Sequence, residues 1–159
     1  MTTLYHFDGS NYTAATADEI LVVARSHLTQ RFRRGTSLAS PQATREWLTI
    51  RYGNLPHELF TVIFLDCRHR LIEATDLFRG TIDGASVHPR EVVKEALQRN
   101  AAAVILAHNH PSGVAEPSQA DELITKRLIE ALALFDIRVL DHLIIAGSTS
   151  ISFAERGML

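Results

Sequence analysis

The sequence predicts an α/β fold, a central mixed β-sheet with helices packed on it, preceded by N-terminal helices. Three observations carry this reading. From Leu59 onward, short β-branched and apolar runs alternate with stretches of helical period in the order ββαβαββ. Ala101 to Ala107 is apolar without interruption, the pattern of a strand covered on both faces. The chain has 159 residues, 46% hydrophobic and 21% charged, enough for one domain with a real core and unlike a disordered or fibrous chain.

The elements follow in order. Thr16 with Glu19 three residues later reads as a capping box that starts a first helix. Ile20, Val23, Ala24, His27 and Leu28 fall on one face of it, and Arg31, Arg33, Arg34 and Gly35 close it. Ser40-Pro41 opens a second helix that runs to about Tyr52 and stops at Gly53, with Trp47 and Tyr52 packing it onto the core. Leu59 to Leu65 and Leu71 to Phe78 read as two strands joined by a turn at Asp66 to Arg70. After a loop at Gly80 to Gly84, His88-Pro89 starts a helix with Val92, Val93, Ala96 and Leu97 as its apolar positions. The Ala101 to Ala107 strand leads into the longest helix, Ser118 to Phe135, and two strands near Val139 to Ala146 and Ser150 to Phe153 finish the domain.

Composition narrows the function. The formal net charge of −2 creates no global field to attract nucleic acid. The Arg31-Phe32-Arg33-Arg34 cluster could bind phosphate, although cations are common at helix C-termini for structural reasons. A single cysteine, Cys67, excludes an intrachain disulfide and suits a reducing compartment. With no bilayer-length apolar run and no signal-peptide pattern at the start, the expected location is cytoplasmic, with no membrane partner. Eight histidines are many for this length, and histidine is the commonest metal ligand.

The chemistry concentrates in His108-Asn109-His110-Pro111-Ser112-Gly113, followed by Ser118 and Asp121. His108 and His110 are two apart at the carboxyl end of the apolar strand, so both rings can point the same way, where α/β proteins build their sites. Asp121 lies in the first turn of the next helix, beyond a Pro/Gly loop that can fold it back onto the histidines. Two imidazoles and one carboxylate form the open three-ligand set of a catalytic zinc, Zn2+ as one ion, with a fourth position for water. A His-x-His pair alone is expected by chance about 0.35 times in such a chain, so the specificity comes from the further serine and aspartate.

A hydrolase also needs a proton shuttle that is not a ligand. Glu58, at the start of the first core strand, can supply it if that strand neighbours the His108 strand; Glu73 competes. Each residue also has an ordinary reading. Ser118 and Asp121 suit an N-cap and its third helical position, Glu58 a solvated strand-end charge, and Asp141-His142 a hydrogen-bonded pair within a strand. His57, His69 and His88 read as surface or turn residues, and Cys67 has no identifiable partner for nucleophilic chemistry.

His-x-His with Ser118 eight beyond the second histidine and Asp121 three further resembles the JAMM (MPN+) metalloprotease signature. The longer run His-Asn-His-Pro-Ser-Gly, with Glu-Pro-Ser before the next helix and Ser-Phe-Ala-Glu-Arg-Gly at Ser152 to Gly157, is similar to the RadC family over about Ser40 to Leu159. The resemblance implies a JAMM/MPN-like fold with cytidine-deaminase-like layering, residues 1–36 being an N-terminal helical extension and 37–159 the RadC-type domain. It implies His108, His110 and Asp121 as zinc ligands, Glu58 as acid and base, and Ser118 as the group that helps stabilise an oxyanion. The expected activity is hydrolysis of an amide or isopeptide bond in an unidentified protein or peptide substrate. The alternatives are a DNA-repair-associated protein or an inactive MPN-like interaction module. Longer RadC proteins carry an N-terminal helix-hairpin-helix region that no segment here matches, so any DNA association is expected to be weak or indirect.

Overall fold

A computed structural model of the chain describes residues 3–38, 41–52, 55–80 and 86–159. It opens with a two-strand antiparallel hairpin, β1 (Tyr5–Phe7) and β2 (Tyr12–Ala14), then α1 (Ala17–Arg31) and α2 (Pro41–Tyr52). The main sheet is built from β3 (Leu59–Leu65), β4 (Leu71–Arg79), β5 (Ala103–Asn109), β6 (Arg138–Ala146) and β7 (Thr149–Ser152). Helix α3 (Pro89–Gln98) precedes β5, and α4 (Gln119–Ala133) connects β5 to β6.

The strand order is β4-β3-β5-β6-β7. Only β5 and β6 run parallel, and the other neighbours are antiparallel, so the sheet is mixed. Strand β5 is central, as its unbroken apolar run predicts, and all seven of its residues are buried. Because successive side chains alternate faces, β3 and β5 feed two separate cores. Ile63, Leu65, Ala103, Ile105 and Ala107 pack with Trp47, Leu48 and Tyr52 of α2 on one face. Phe60, Val62, Phe64, Val104 and Leu106 pack with Val92 and Ala96 of α3 and Leu128 and Leu132 of α4 on the other. The result is helix, sheet, helix.

The N-terminal region differs from the expectation that helices come first. Tyr5-His6-Phe7 and Tyr12-Thr13-Ala14 pair across a turn in which Asp8 Oδ1 accepts from the backbone N–H groups of Ser10 and Asn11, with Gly9 at φ +101°. Helix α1 begins as predicted: Thr16 N–H donates to Glu19 Oε2 at 2.8 Å, and Glu19 N–H donates to Thr16 Oγ1 at 3.3 Å. Its expected apolar face is not a core face. Of that face Ile20 and Ala24 are half-buried while Val23 and His27 are exposed, as are Leu21 and Val22 off it, because α1 lies outside the two cores. Capping, rather than burial, supports its start. Ser40, Gly53 and most of the Gly80 to Gly84 loop, singled out above, lie outside the described residues. Among the described residues no helix is long and apolar enough to cross a membrane.

Candidate metal centre

The site is assembled at the carboxyl end of β5, where the parallel β5–β6 pair opens towards α4. Extended geometry persists past the end of the strand, since His110 N–H donates to the Ile145 carbonyl at 2.8 Å. His108 and His110 therefore share a face, and their Nε2 atoms stand 2.9 Å apart. Strand β3 runs antiparallel to β5 with Phe60 opposite His108, a register that brings Glu58 alongside His110. Glu58 Oε1 lies 4.0 Å from Nε2 of both histidines.

Asn109, between the two histidines, points away from them and locks this register. Its Oδ1 accepts from Leu59 N–H at 2.8 Å, and its Nδ2 donates to the His57 carbonyl at 3.0 Å. The peptide groups on both sides of Glu58 are thus held by one buried side chain.

Helix α4 supplies the carboxylate. Ser118 is its N-cap and Asp121 its third residue, joined in a capping box: Ser118 N–H donates to Asp121 Oδ2 at 2.7 Å, and Asp121 N–H to Ser118 Oγ at 3.2 Å. The Ser118 hydroxyl also donates to Asp121 Oδ2, at 2.6 Å. The cap and site readings of these two residues therefore coexist. The same carboxylate faces the histidines, with Oδ1 at 3.2 Å from His108 Nε2 and Oδ2 at 3.5 Å from His110 Nε2.

These spacings can be tested against a metal. Ligand atoms about 2.0–2.1 Å from a tetrahedral zinc lie roughly 3.3 Å from one another. The distances of 2.9, 3.2 and 3.5 Å among His108, His110 and Asp121 surround that value. Glu58, His108 and His110 also form a group that could hold an ion, their ligand atoms lying within 4.8 Å of one another. Glu58 is the more distant carboxylate, at 4.0 Å, too far to bond the rings directly and near enough for one water beside them to bridge the gap.

Electrostatics agree with the geometry. Burial opposes ionisation of Asp121, but the His108 and His110 imidazoles that face it outweigh burial and hold the carboxyl well below its usual range. The Asp121 contact pushes the His110 imidazole above its ordinary value, against the opposing effect of burial, and the Val114 carbonyl, 2.7 Å from Nδ1, pushes the same way.

One residue of the site is more prominent than the sequence suggested. His142 on β6 is fully buried, its Nε2 2.8 Å from His108 Nδ1 and its Nδ1 2.6 Å from Thr125 Oγ1. Burial, followed by the nearby His108, holds its pKa well below the ordinary histidine value. The signal available was parity: Leu143 and Ile145 face the α2 core, so His142 must face α4 and the site. Its neighbour Asp141 accepts from the His142 N–H at 2.7 Å, so the two are hydrogen-bonded as expected, and also from Ser152 Oγ at 2.7 Å and Ala154 N–H at 3.0 Å.

The remaining candidates lie elsewhere. Glu73 is paired with Arg99 at 2.9 Å on β4, opposite Phe64 and away from the histidines. Cys67 is an exposed free thiol. Arg33 and Arg34 are exposed beside Gly35, whose N–H donates to the Leu71 carbonyl at the opposite end of the sheet.

Comparison with known proteins shows the family of the chain. A family model described as the RadC-like JAB domain matches residues 38–158. A UPF0758 protein of Nitrosococcus oceani is 62% identical over 139 residues, covering 87% of this chain and 62% of that protein. A UPF0758 protein of Thioalkalivibrio sulfidiphilus is 61% identical over 140 residues, covering 88% and 62%. One from Methylibium petroleiphilum is 56% identical over 140 residues, covering 88% and 63%. The chain therefore spans less than two thirds of the length of these relatives. The mixed five-strand sheet with its four helices is consistent with the JAB/MPN-like fold that the sequence motifs implied.

Proposed function

Because this chain belongs to the RadC-like JAB domain family, we propose that it is a metal-dependent hydrolase of the JAMM type, cleaving an amide or isopeptide bond in a protein or peptide. The observation that carries the proposal is the convergence of His108, His110 and Asp121 within 2.9 to 3.5 Å, with Glu58 standing off at 4.0 Å. The first three residues would hold the ion. The mixed nitrogen and oxygen set favours Zn2+, which when bound supplies Lewis acidity and lowers the pKa of water towards neutrality.

In this reading Glu58 moves the proton. Its carboxylate takes a proton from the attacking water and returns it to the leaving amine, acting first as base and then as acid. Asn109 holds the peptide groups that flank Glu58, so the carboxylate meets its proton at a fixed distance. Ser118 has two tasks. It caps α4 and steadies Asp121, and its hydroxyl can turn from the carboxylate to donate to the developing oxyanion.

The test is Glu58→Gln, which keeps the size and removes the base. Zinc content by metal analysis should stay at one ion per chain, while cleavage of a peptide and isopeptide panel falls at least 100-fold. Wild-type-like turnover in this variant would remove Glu58 from the mechanism. Chelator-insensitive cleavage would remove the metal. If the pure protein instead shows salt-dependent DNA binding that weakens when Arg31, Arg33 and Arg34 are neutralised, the nucleic-acid alternative gains over the peptidase.

A further inference from the structure

The contacts behind His108 have a direction that one group sets. The Asp121 main-chain carbonyl can only accept, and Thr125 Oγ1 lies 2.5 Å from it, so the threonine hydroxyl donates there. That hydroxyl has no second proton. Its contact with His142 Nδ1 at 2.6 Å must then be a bond that the histidine donates. A neutral His142 carrying its proton on Nδ1 presents a bare Nε2, which accepts from His108 Nδ1 at 2.8 Å. His108, if neutral, must therefore keep its proton on Nδ1 and aim a lone pair from Nε2 at His110 and Asp121.

We propose that Thr125 and His142 are positioning residues, a buried relay that fixes His108 in the Nδ1–H tautomer and so leaves Nε2 free to act as a ligand. The relay starts on the helix that carries Asp121 and ends on the strand that carries His108, so it ties two of the three candidate ligands together. Thr125, His142 and His108 are 1%, 0% and 2% exposed, so bulk water offers no substitute partner to reverse the chain. The His142 ring is itself gripped, with the Phe153 ring centroid at 4.9 Å and that of Phe60 at 5.6 Å. The usual partner behind a metal-bound imidazole is a carboxylate or a carbonyl. Here a second, neutral imidazole is interposed, and the carbonyl stands at the far end of the chain.

For a neutral His108 the tautomer follows from the hydrogen bonds behind the ring, whereas its effect on metal affinity rests on the proposed function. The experiment separates the two. Long-range proton–nitrogen spectra of the 15N-labelled full chain at pH 8, without metal, should show His108 and His142 each protonated on Nδ1 and bare on Nε2. Zinc affinity is then measured by competition with a chelator for the wild type, Thr125→Val and Thr125→Ser. Valine removes the acceptor of the His142 proton, and that ring can then move its proton to Nε2 and force the opposite tautomer on His108.

The expected result is a loss of about 10- to 100-fold in zinc affinity for Thr125→Val, with the changed nitrogen pattern, and recovery in Thr125→Ser. A wild-type spectrum with His108 protonated on Nε2 overturns the proposal, and it does so even if the valine variant fails to fold. A folded Thr125→Val with unchanged spectrum and unchanged zinc affinity also overturns it. If no version of the protein binds zinc while the wild-type tautomers are as stated, the relay stands and the metal reading falls.

Discussion

At the scale of a residue, Asn109 separates positioning from chemistry. It is 5% exposed, and both ends of its amide are bonded to the backbone around Glu58. Asn109→Ala leaves Leu59 N–H and the His57 carbonyl without partners, a loss expected to destabilise the fold by about 1–3 kcal/mol in urea unfolding. Asn109→Asp is the sharper probe. It can still accept from Leu59 N–H but cannot donate to His57, so only one of the two bonds is removed. The expectation is that zinc content stays intact in Asn109→Asp while turnover falls, because the histidines are untouched and Glu58 alone loses its anchor. Equal losses of metal and turnover would make Asn109 a general structural residue. The sequence placed Asn109 at the centre of its motif without exposing this task. Its partners are the main-chain groups of residues 57 and 59, some 50 positions upstream, and main-chain groups leave no pattern in side-chain chemistry.

At the scale of an element, α4 is both a structural helix and a ligand carrier, and its first turn cannot serve one role without the other. Ser118→Ala removes the acceptor for Asp121 N–H and the donor to Asp121 Oδ2. A lost N-cap is expected to destabilise by about 1 kcal/mol in thermal or urea unfolding, and with Asp121 freed from the serine the zinc affinity should fall with it. A Ser118→Ala protein with wild-type stability would show that the cap is redundant. The elements with buried faces were the legible ones. Strand β5 announced itself by an unbroken apolar run, and α3 and α4 by their caps and spacing, because each of those patterns is the imprint of a core. The β1–β2 hairpin left no such imprint: its strands are three residues long and exposed, so nothing buried imposes an alternation on Tyr5 to Phe7 or Tyr12 to Ala14. Helix α1 is the opposite case. Ile20, Val23 and Ala24 have helical spacing, yet they join neither core, and periodicity cannot report what an apolar face meets.

At the scale of the whole molecule, the site links stability to pH with opposite signs in the two metal states. Without metal, the Asp121 contact raises the His110 pKa above 6.5, while, against the effect of burial, the His108 and His110 imidazoles together lower that of Asp121 below 3.8. A raised histidine stabilises fully below its unfolded value and loses that contribution as pH climbs through the folded one. A depressed carboxylate stabilises above its unfolded value and loses that as pH falls through the folded one. The pair therefore contributes most between about 3.8 and 6.5, and metal-free stability from this contact declines towards pH 8. Zinc requires neutral imidazoles, so it competes with the proton on His110 and binds better as pH rises. Ligand that binds only the folded state adds stability by mass action, and the zinc-induced rise in Tm should accordingly grow from pH 6 to pH 8 while the metal-free Tm drifts down. Melting curves at pH 6, 7 and 8, with zinc and with chelator, measure both slopes, and His110→Gln isolates the contribution of this one ring. In that variant the metal-free decline between pH 6 and 8 should flatten relative to the wild type, and the zinc increment should shrink at every pH. A zinc increment that is the same at pH 6 and pH 8 in the wild type would mean that the ion does not displace a proton from His110.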